Sequence, residues 1–271
     1  MKRTTALLAG EGILPLEISR RLAKKGFSPV IYSFSENNAE LRKFASDLVL
    51  MKGPRLGELV DDAVGRGMDS IILAGVVPKE LMFRPDLMDE TLRTLIANLP
   101  VRDDHALLGA IVEIFESRGI QVLPYRKMIP ELIASLGRIA GRDPSASEKD
   151  DILYGSRIAS TVVPLSFGQT VVVRGRSVVA VEAMEGTDAA IERAGRISGG
   201  GVVVKMMRPD QDERFDLPTV GVGTLRVMHD AGLTCLAVEA GRTIVLGDEL
   251  FRESAGSWDI AVTGISPIPS S

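Results

Sequence analysis

Between Val178 and Gly221 the chain gathers residue types suited to handling phosphate esters. Asp210, Asp212, Glu213 and Asp216 are four carboxylates within seven positions, with Arg214 among them and Arg208 just before. Lys205 closes the apolar run that precedes them. Upstream, Glu182 lies near the end of another apolar run, and Glu185-Gly186-Thr187-Asp188 follows it as a strand-to-helix turn. Carboxylates and cations at strand ends suit a divalent metal and a phosphate together. Mg²⁺ takes oxygen ligands and typically uses one or two carboxylates plus substrate phosphates. Displacement at phosphorus chiefly needs charge neutralisation, and attack by water needs a carboxylate or a metal to activate it. The plainer alternatives are a solvated acidic loop at Arg208 to Asp216 and a simple cap and turn at Glu185 to Asp188. The residues alone leave both readings open.

Other chemistries find little support. His105 and His229 lack the ligand spacing of a zinc site. No nucleophile elbow surrounds Ser166 or Ser177. The single cysteine, Cys235, sits in an apolar run and reads as a small buried hydrophobe. A net charge of −4 and an aromatic content of 4% argue against nucleic acid as a partner. The N-terminus reads as a core strand rather than a signal peptide, and nothing approaches the ~18 apolar residues of a membrane span. A cytoplasmic protein is expected.

These residues need a scaffold that brings strand ends together. At 271 residues, two domains are expected. In the first half, strands at Thr4–Ala9, Pro29–Phe34, Asp47–Met51 and Asp69–Ala74 alternate with helices at Leu14–Lys25, Asn37–Ser46 and from Pro54 to Arg66. Helices at Pro85–Asn98 and Asp103–Ser117 and a strand at Ile120–Leu123 follow. Such alternation predicts a Rossmann-like parallel sheet over residues 1–128. Its first loop, Gly10-Glu11-Gly12-Ile13-Leu14-Pro15, places glycines before a helix, where backbone N–H groups bind phosphate. Pro15 stands where the dinucleotide fingerprint has its third glycine, so the loop is either a ligand contact or merely a tight turn. Asp103-Asp104 is either a helix cap or a site wall. Pro, Gly and Ser mark residues 129–147 as a linker. Residues 148–271 predict an α+β domain: a helix from Ser147 to Val162, a hairpin turning at Gly175-Arg176, a helix from Thr187 ended by Gly195, and strands at Gly201–Met206, Leu233–Glu239, Arg242–Leu246 and Trp258–Thr263.

Gly168 to Val173, Val178 to Asp188, Lys205 and Asp210 to Gly221 together resemble the LpxI family, pyrophosphatases acting on UDP-2,3-diacylglucosamine in lipid A synthesis. Leu236 to Gly241, Ala9 to Pro15 and Asp103-Asp104 with Leu107-Leu108 extend the resemblance over nearly the whole chain. Ser166 is a departure, since many members carry Asp there.

The resemblance implies an α/β protein of two domains with the lipid-linked nucleotide sugar held between them. It implies Mg²⁺ (or Mn²⁺) as cofactor, a homodimer, and a cytoplasmic enzyme that makes transient contact with the inner membrane. Hydrolysis would give UMP and 2,3-diacylglucosamine 1-phosphate (lipid X); a regulatory nucleotide-sugar-binding module is the competing class. By position, the resemblance makes Asp216 the catalytic, metal-associated carboxylate, with Asp188 and Glu185 next as catalytic groups that bind metal or position water, Asp188 being the second metal candidate. Lys205 and Arg214 would neutralise the pyrophosphate, while Gln211 and Asp212 shape the loop. Gln169, Glu182, Gly186, Thr187 and Thr219 join the substrate contacts in the second half, and Gly10, Gly12, Ile13, Leu14, Gly75, Asp103 and Asp104 in the first. Leu81, Met82, Phe83 and Met88 are either acyl-groove lining or ordinary core.

Overall fold

A computed structural model describes residues 4–35, 38–76, 84–100 and 104–266, without the side chains of Asp104 and His105. The chain divides into two compact units: Met1–Pro130 with Asp212–Phe215, and Glu131–Gln211 with Asp216–Ser271.

In the N-terminal unit, β1 (Thr5–Ala9), β2 (Val30–Ser33), β3 (Asp47–Leu50), β4 (Ser70–Ala74) and β5 (Gln121–Val122) form a parallel sheet in the order β3-β2-β1-β4-β5. β2 and β4 are buried along their whole length, as expected when helices cover both faces of a parallel sheet. The helices are α1 (Leu14–Lys24), α2 (Ala39–Arg42), α3 (Leu56–Gly65), α4 (Glu90–Asn98), α5 (Asp104–Ser117) and α6 (Tyr125–Met128). Two differ from expectation. α2 is a single turn rather than Asn37–Ser46. α4 starts at Glu90, not Pro85, because the Asp89 carboxylate accepts the Leu92 N–H at 3.0 Å and caps it there. Phe215 packs against this unit's core, and Tyr125 shares its hydroxyl hydrogen between the carbonyls of Leu73 and Phe215. Met88, a candidate for acyl contact, is a core residue at 6% exposure. Leu81, Met82 and Phe83 lie outside the described residues.

The C-terminal unit is built on a mixed sheet of β6 (Gly137–Ala140), β7 (Thr170–Arg174), β8 (Ser177–Val181), β9 (Val202–Lys205), β11 (Cys235–Glu239) and β13 (Ala261–Ile265), in the order β6-β13-β11-β9-β7-β8. β9, β11 and β13 are parallel, while β7, β8 and β6 extend the sheet antiparallel. β10 (Thr219–Val220) and β12 (Ile244–Val245) pair separately. Alternation sorts the side chains. Val172, Ala180, Val203, Leu236, Val238 and Val262 face a core shared with α8 (Thr187–Ser198), α9 (Val222–Asp230) and α10 (Asp248–Ser257). Val171, Val173, Val202, Val204, Cys235, Ala237 and Ala261 face the long helix α7 (Ala146–Val162). Gly155 lets α7 sit close, since a Cβ there would lie 2.8 Å from Val204 Cγ2. Among the described residues no helix is long and apolar enough to cross a membrane.

Residues 129–147 are not a linker. They hold a 3₁₀ turn at Pro130–Leu132, then β6, and then the N-cap of α7. Gly195 does not end α8, which runs on to Ser198 and stops at left-handed Gly199. Gly195 is instead a close-packing point, because a Cβ would lie 2.5 Å from the Ala231 carbonyl oxygen. The hairpin does turn at Gly175-Arg176, both with positive φ, and Asp151 of α7 accepts their two N–H groups at 2.9 and 2.6 Å.

A buried ion pair fastens α7 to the sheet. Glu148 is 8% exposed. It accepts from Arg142 at 2.6 and 2.8 Å, from the Ser145 N–H at 2.8 Å and from the Thr234 hydroxyl at 2.7 Å. Ser145 completes the capping box. Burial opposes ionisation of Glu148, but Arg142, Ser145 and Thr234 outweigh it and hold the carboxyl down to about 2, against 4.5 ordinarily. A depressed carboxyl stabilises the fold above the unfolded value, and that contribution is lost as pH falls from 4.5 towards 2. Glu148→Gln is therefore expected to cost roughly 2–3 kcal/mol in urea unfolding at pH 7, with the difference from wild type shrinking below pH 4. A mutational cost that is constant with pH would contradict this.

Candidate functional site at the strand ends of the C-terminal unit

Lys205 is the last residue of β9, and alternation turns it to the side of α8. Its neighbours follow from register. Thr170 pairs with Lys205 across the sheet, and the Glu182 N–H bonds the Thr170 carbonyl at 2.9 Å. Glu182, Thr170 and Lys205 thus stand in one row on one face. Glycine permits this approach, since a Cβ on Gly168 would lie 2.0 Å from the Glu182 carbonyl oxygen. Above the row is the start of α8. Gly186 is its N-cap at φ 84, a left-handed value that suits glycine.

Thr187, the first residue of α8, links the two charges. Lys205 Nζ donates to Thr187 Oγ1 at 3.1 Å, and Thr187 Oγ1 donates to Glu182 Oε1 at 3.0 Å. Glu182 Oε2 takes the Gln169 N–H at 3.4 Å. Lys205 is 5% exposed and Glu182 7%. Burial pushes the Lys205 ammonium below the ordinary lysine range, opposed by the charges of Glu182 and Asp188. Asp188 is exposed in the first turn of α8, where the helix dipole favours an anion. Gln169 Oε1 is buried with no hydrogen-bond partner among the described residues. Together these groups present a cation, a helix N-terminus and carboxylates at one sheet end, a combination able to hold a phosphate ester.

The fold already employs most of the other candidates. Glu182 accepts from Thr187 and from the Gln169 N–H. Glu185 is exposed and paired with Arg193 at 2.5 Å, which holds its carboxyl below the usual range. Gln211 accepts the Arg208 N–H at 2.8 Å, and Asp212 accepts the Arg214 N–H at 2.8 Å. Arg214 is paired with Asp212 at 2.7 Å and Glu116 at 2.9 Å within the N-terminal unit. Asp210 pairs with Arg208, and Glu213 with Arg126. Asp216 is half-buried and belongs to the C-terminal unit. Thr219 donates to the Leu217 carbonyl at 3.2 Å. His229 stacks on Trp258, its ring centroid 5.2 Å away, which gives it a packing role. Ser166 is left-handed at φ 62, a conformation in which Asp is enriched.

In the N-terminal unit the glycines have a packing reason. A Cβ on Gly10 would lie 2.6 Å from the Val76 carbonyl oxygen, and one on Gly75 (φ 84) would lie 2.6 Å from that of Glu11. Glu11 and Val76 form a backbone bridge here. Gly12, at φ 97, has open space around its α-carbon, Ile13 is exposed, and Leu14 opens α1. A groove of about 280 Å³ lies elsewhere in this unit, beside Tyr32, Leu50, Met51, Arg55 and Asp62, and none of the candidates lines it. Asp103 and the side chain of Asp104 lie outside the described residues.

Among the described residues no group of three or more His, Cys, Asp or Glu side chains converges to hold a metal. Asp188 and Asp216 each carry oxygen donors, the ligand type magnesium takes along with water and substrate phosphate.

One carboxylate inside the Leu236 to Gly241 motif received no role from the sequence. Glu239, at the end of β11, is fully buried and bonds the backbone beyond Lys205. The signal available was an acid directly ending an apolar strand.

A family model of the LpxI C-terminal domain matches residues 135–263, and one of the LpxI N-terminal domain matches residues 4–132. The chain is 30% identical over 284 aligned positions to the UDP-2,3-diacylglucosamine pyrophosphatase LpxI of Caulobacter vibrioides, covering 98% of each chain. Two solved structures align over part of the chain at 14% identity and a TM-score of 0.28. They are the biotin carboxylase domain of Hydrogenobacter thermophilus 2-oxoglutarate carboxylase (64% of this chain, 35% of that one) and the biotin carboxylase subunit of a pyruvate carboxylase (73% and 42%). Scores at that level carry no argument. Both domain models match in order over nearly the whole length, and the chain belongs to the LpxI family.

Proposed function

We propose that this protein hydrolyses the pyrophosphate bond of UDP-2,3-diacylglucosamine, releasing UMP and 2,3-diacylglucosamine 1-phosphate. The observation that carries the reading is the end-to-end match to a relative named for that activity. The chemistry at the end of β9 agrees with it. Lys205 and the N-terminus of α8 neutralise charge on the phosphates, and a desolvated cation does so more strongly than an exposed one. Thr187 and Glu182 hold that cation in one place. Asp216 orients the attacking water, with Asp188 beside the phosphate-binding turn. Asp216 and Asp188 would hold Mg²⁺ or Mn²⁺, which supplies charge neutralisation and a more acidic bound water.

The same reading includes a homodimer and transient contact with the cytoplasmic face of the membrane. Leu165, Phe167 and Met184 support lipid contact. They are exposed apolar side chains on the loops that meet where Gly168 packs on Glu182.

Asp216→Ala is expected to stay folded and to lose UMP release from UDP-2,3-diacylglucosamine; wild-type-like turnover would sink the assignment. Exhaustive EDTA treatment should abolish turnover and added Mg²⁺ restore it, and full activity in EDTA would remove the metal from the scheme. For Lys205, the ammonium is the active form, and its lowered pKa places the alkaline limb of kcat below the ordinary lysine value of 10.5. Lys205→Met should lower kcat by about 10²–10³-fold and abolish that limb. An unchanged pH profile in this variant would show that Lys205 does not act as a charge.

A further inference from the structure

We infer that Glu239 is a positioning residue for this reaction, holding the end of β9 so that Lys205 stays in place; this rests on the pyrophosphatase reading above. The sheet ladder runs out at this point. Val238 pairs with Lys205 as the final partner of β9 on the β11 side. On the β7 side, the Met206 N–H still bonds the Gln169 carbonyl at 2.9 Å. The next N–H, that of Met207, is taken by a side chain: Glu239 Oε2 accepts it at 2.8 Å. After it, Gln211 accepts the Arg208 N–H. The chain therefore leaves the sheet with its N–H groups held by acceptors from its own unit.

Glu239 is placed for this by alternation. It follows Cys235 and Ala237 on the α7 side of the sheet, opposite Lys205, at 0% exposure. Arg242 Nη1 donates to Glu239 Oε1 at 3.2 Å, which supplies its counter-charge. A fully buried carboxylate is costly unless paired and hydrogen-bonded. Here it secures a single backbone N–H two residues beyond the buried ammonium, at the point where the strand would otherwise fray. Glu239 acts through that backbone and not on the substrate.

The test compares the full-length wild type with Glu239→Ala and Glu239→Gln by hydrogen–deuterium exchange, thermal melting and steady-state kinetics. Glu239→Gln keeps an acceptor oxygen for the Met207 N–H, whereas Glu239→Ala removes it. Exchange over residues 206–211 is expected to rise in Glu239→Ala and to return towards wild type in Glu239→Gln. Kcat should fall by about 10²-fold in Glu239→Ala, as expected for misplacement of a catalytic group by about 1 Å, with KM changing less than about threefold and Glu239→Gln recovering most of the loss. Wild-type exchange and kcat in Glu239→Ala would overturn the inference. So would equal losses in both variants with exchange raised uniformly over the sheet, the mark of general destabilisation. If the wild type releases no UMP, the pyrophosphatase reading fails, and the exchange pattern still decides whether Glu239 holds the strand end.

Discussion

An ammonium group at 5% exposure is the constraint around which the C-terminal unit is arranged. A desolvated, unpaired cation costs several kcal/mol, so Lys205 can end β9 only where acceptors are already fixed. Thr187, lowered onto the row by the start of α8, accepts from it, and Glu182, brought opposite Thr170 by the β7–β8 hairpin, supplies the counter-charge through Thr187. The hydroxyl of Thr187 suits this role because it accepts from the lysine while donating to the glutamate. The close approach of Gly168 and the left-handed φ of Gly186 are the local backbone conditions for it.

The two faces of the sheet then divide the work. Side chains of odd and even position alternate between the helix-rich face and the face covered by α7. Lys205 emerges at the end of the first face and Glu239 at the end of the second. Glu148 and Arg142 fasten α7 beneath, with Thr234 at the entry to β11 joining them. Buried charges therefore recur at both ends of these strands, and each meets at least one specific polar partner. That pattern suits a site that must keep its geometry while binding a highly charged group.

Much of this was legible in the residues. The apolar run ending at Lys205, the Gly186-Thr187 helix start and the hairpin at Gly175-Arg176 are local signals, and the structure follows them. What local reading could not supply was long-range. Residues 129–147 look like a linker because Gly, Pro and Ser recur in them, yet β6 pairs with β13 more than 100 positions away. Phe215 reads as part of a polar loop, but packs on the core of the N-terminal unit. Glu239 has its acceptor role only because Met207 lies 32 residues back in sequence and adjacent in space. The backbone of each other's loop lies against Gly10 and Gly75, a long-range packing reason that their local spacing does not show.

The central claim is that the phosphates of the substrate meet the protein at Lys205 and the start of α8. A crystal structure of the Asp216→Ala protein with UDP-2,3-diacylglucosamine tests it most directly. The account predicts a phosphate oxygen within hydrogen-bond reach of Lys205 Nζ, about 2.7–3.2 Å, and close to the N–H groups at the start of α8. A pyrophosphate bound elsewhere, with Lys205 still donating to Thr187 alone, would contradict it.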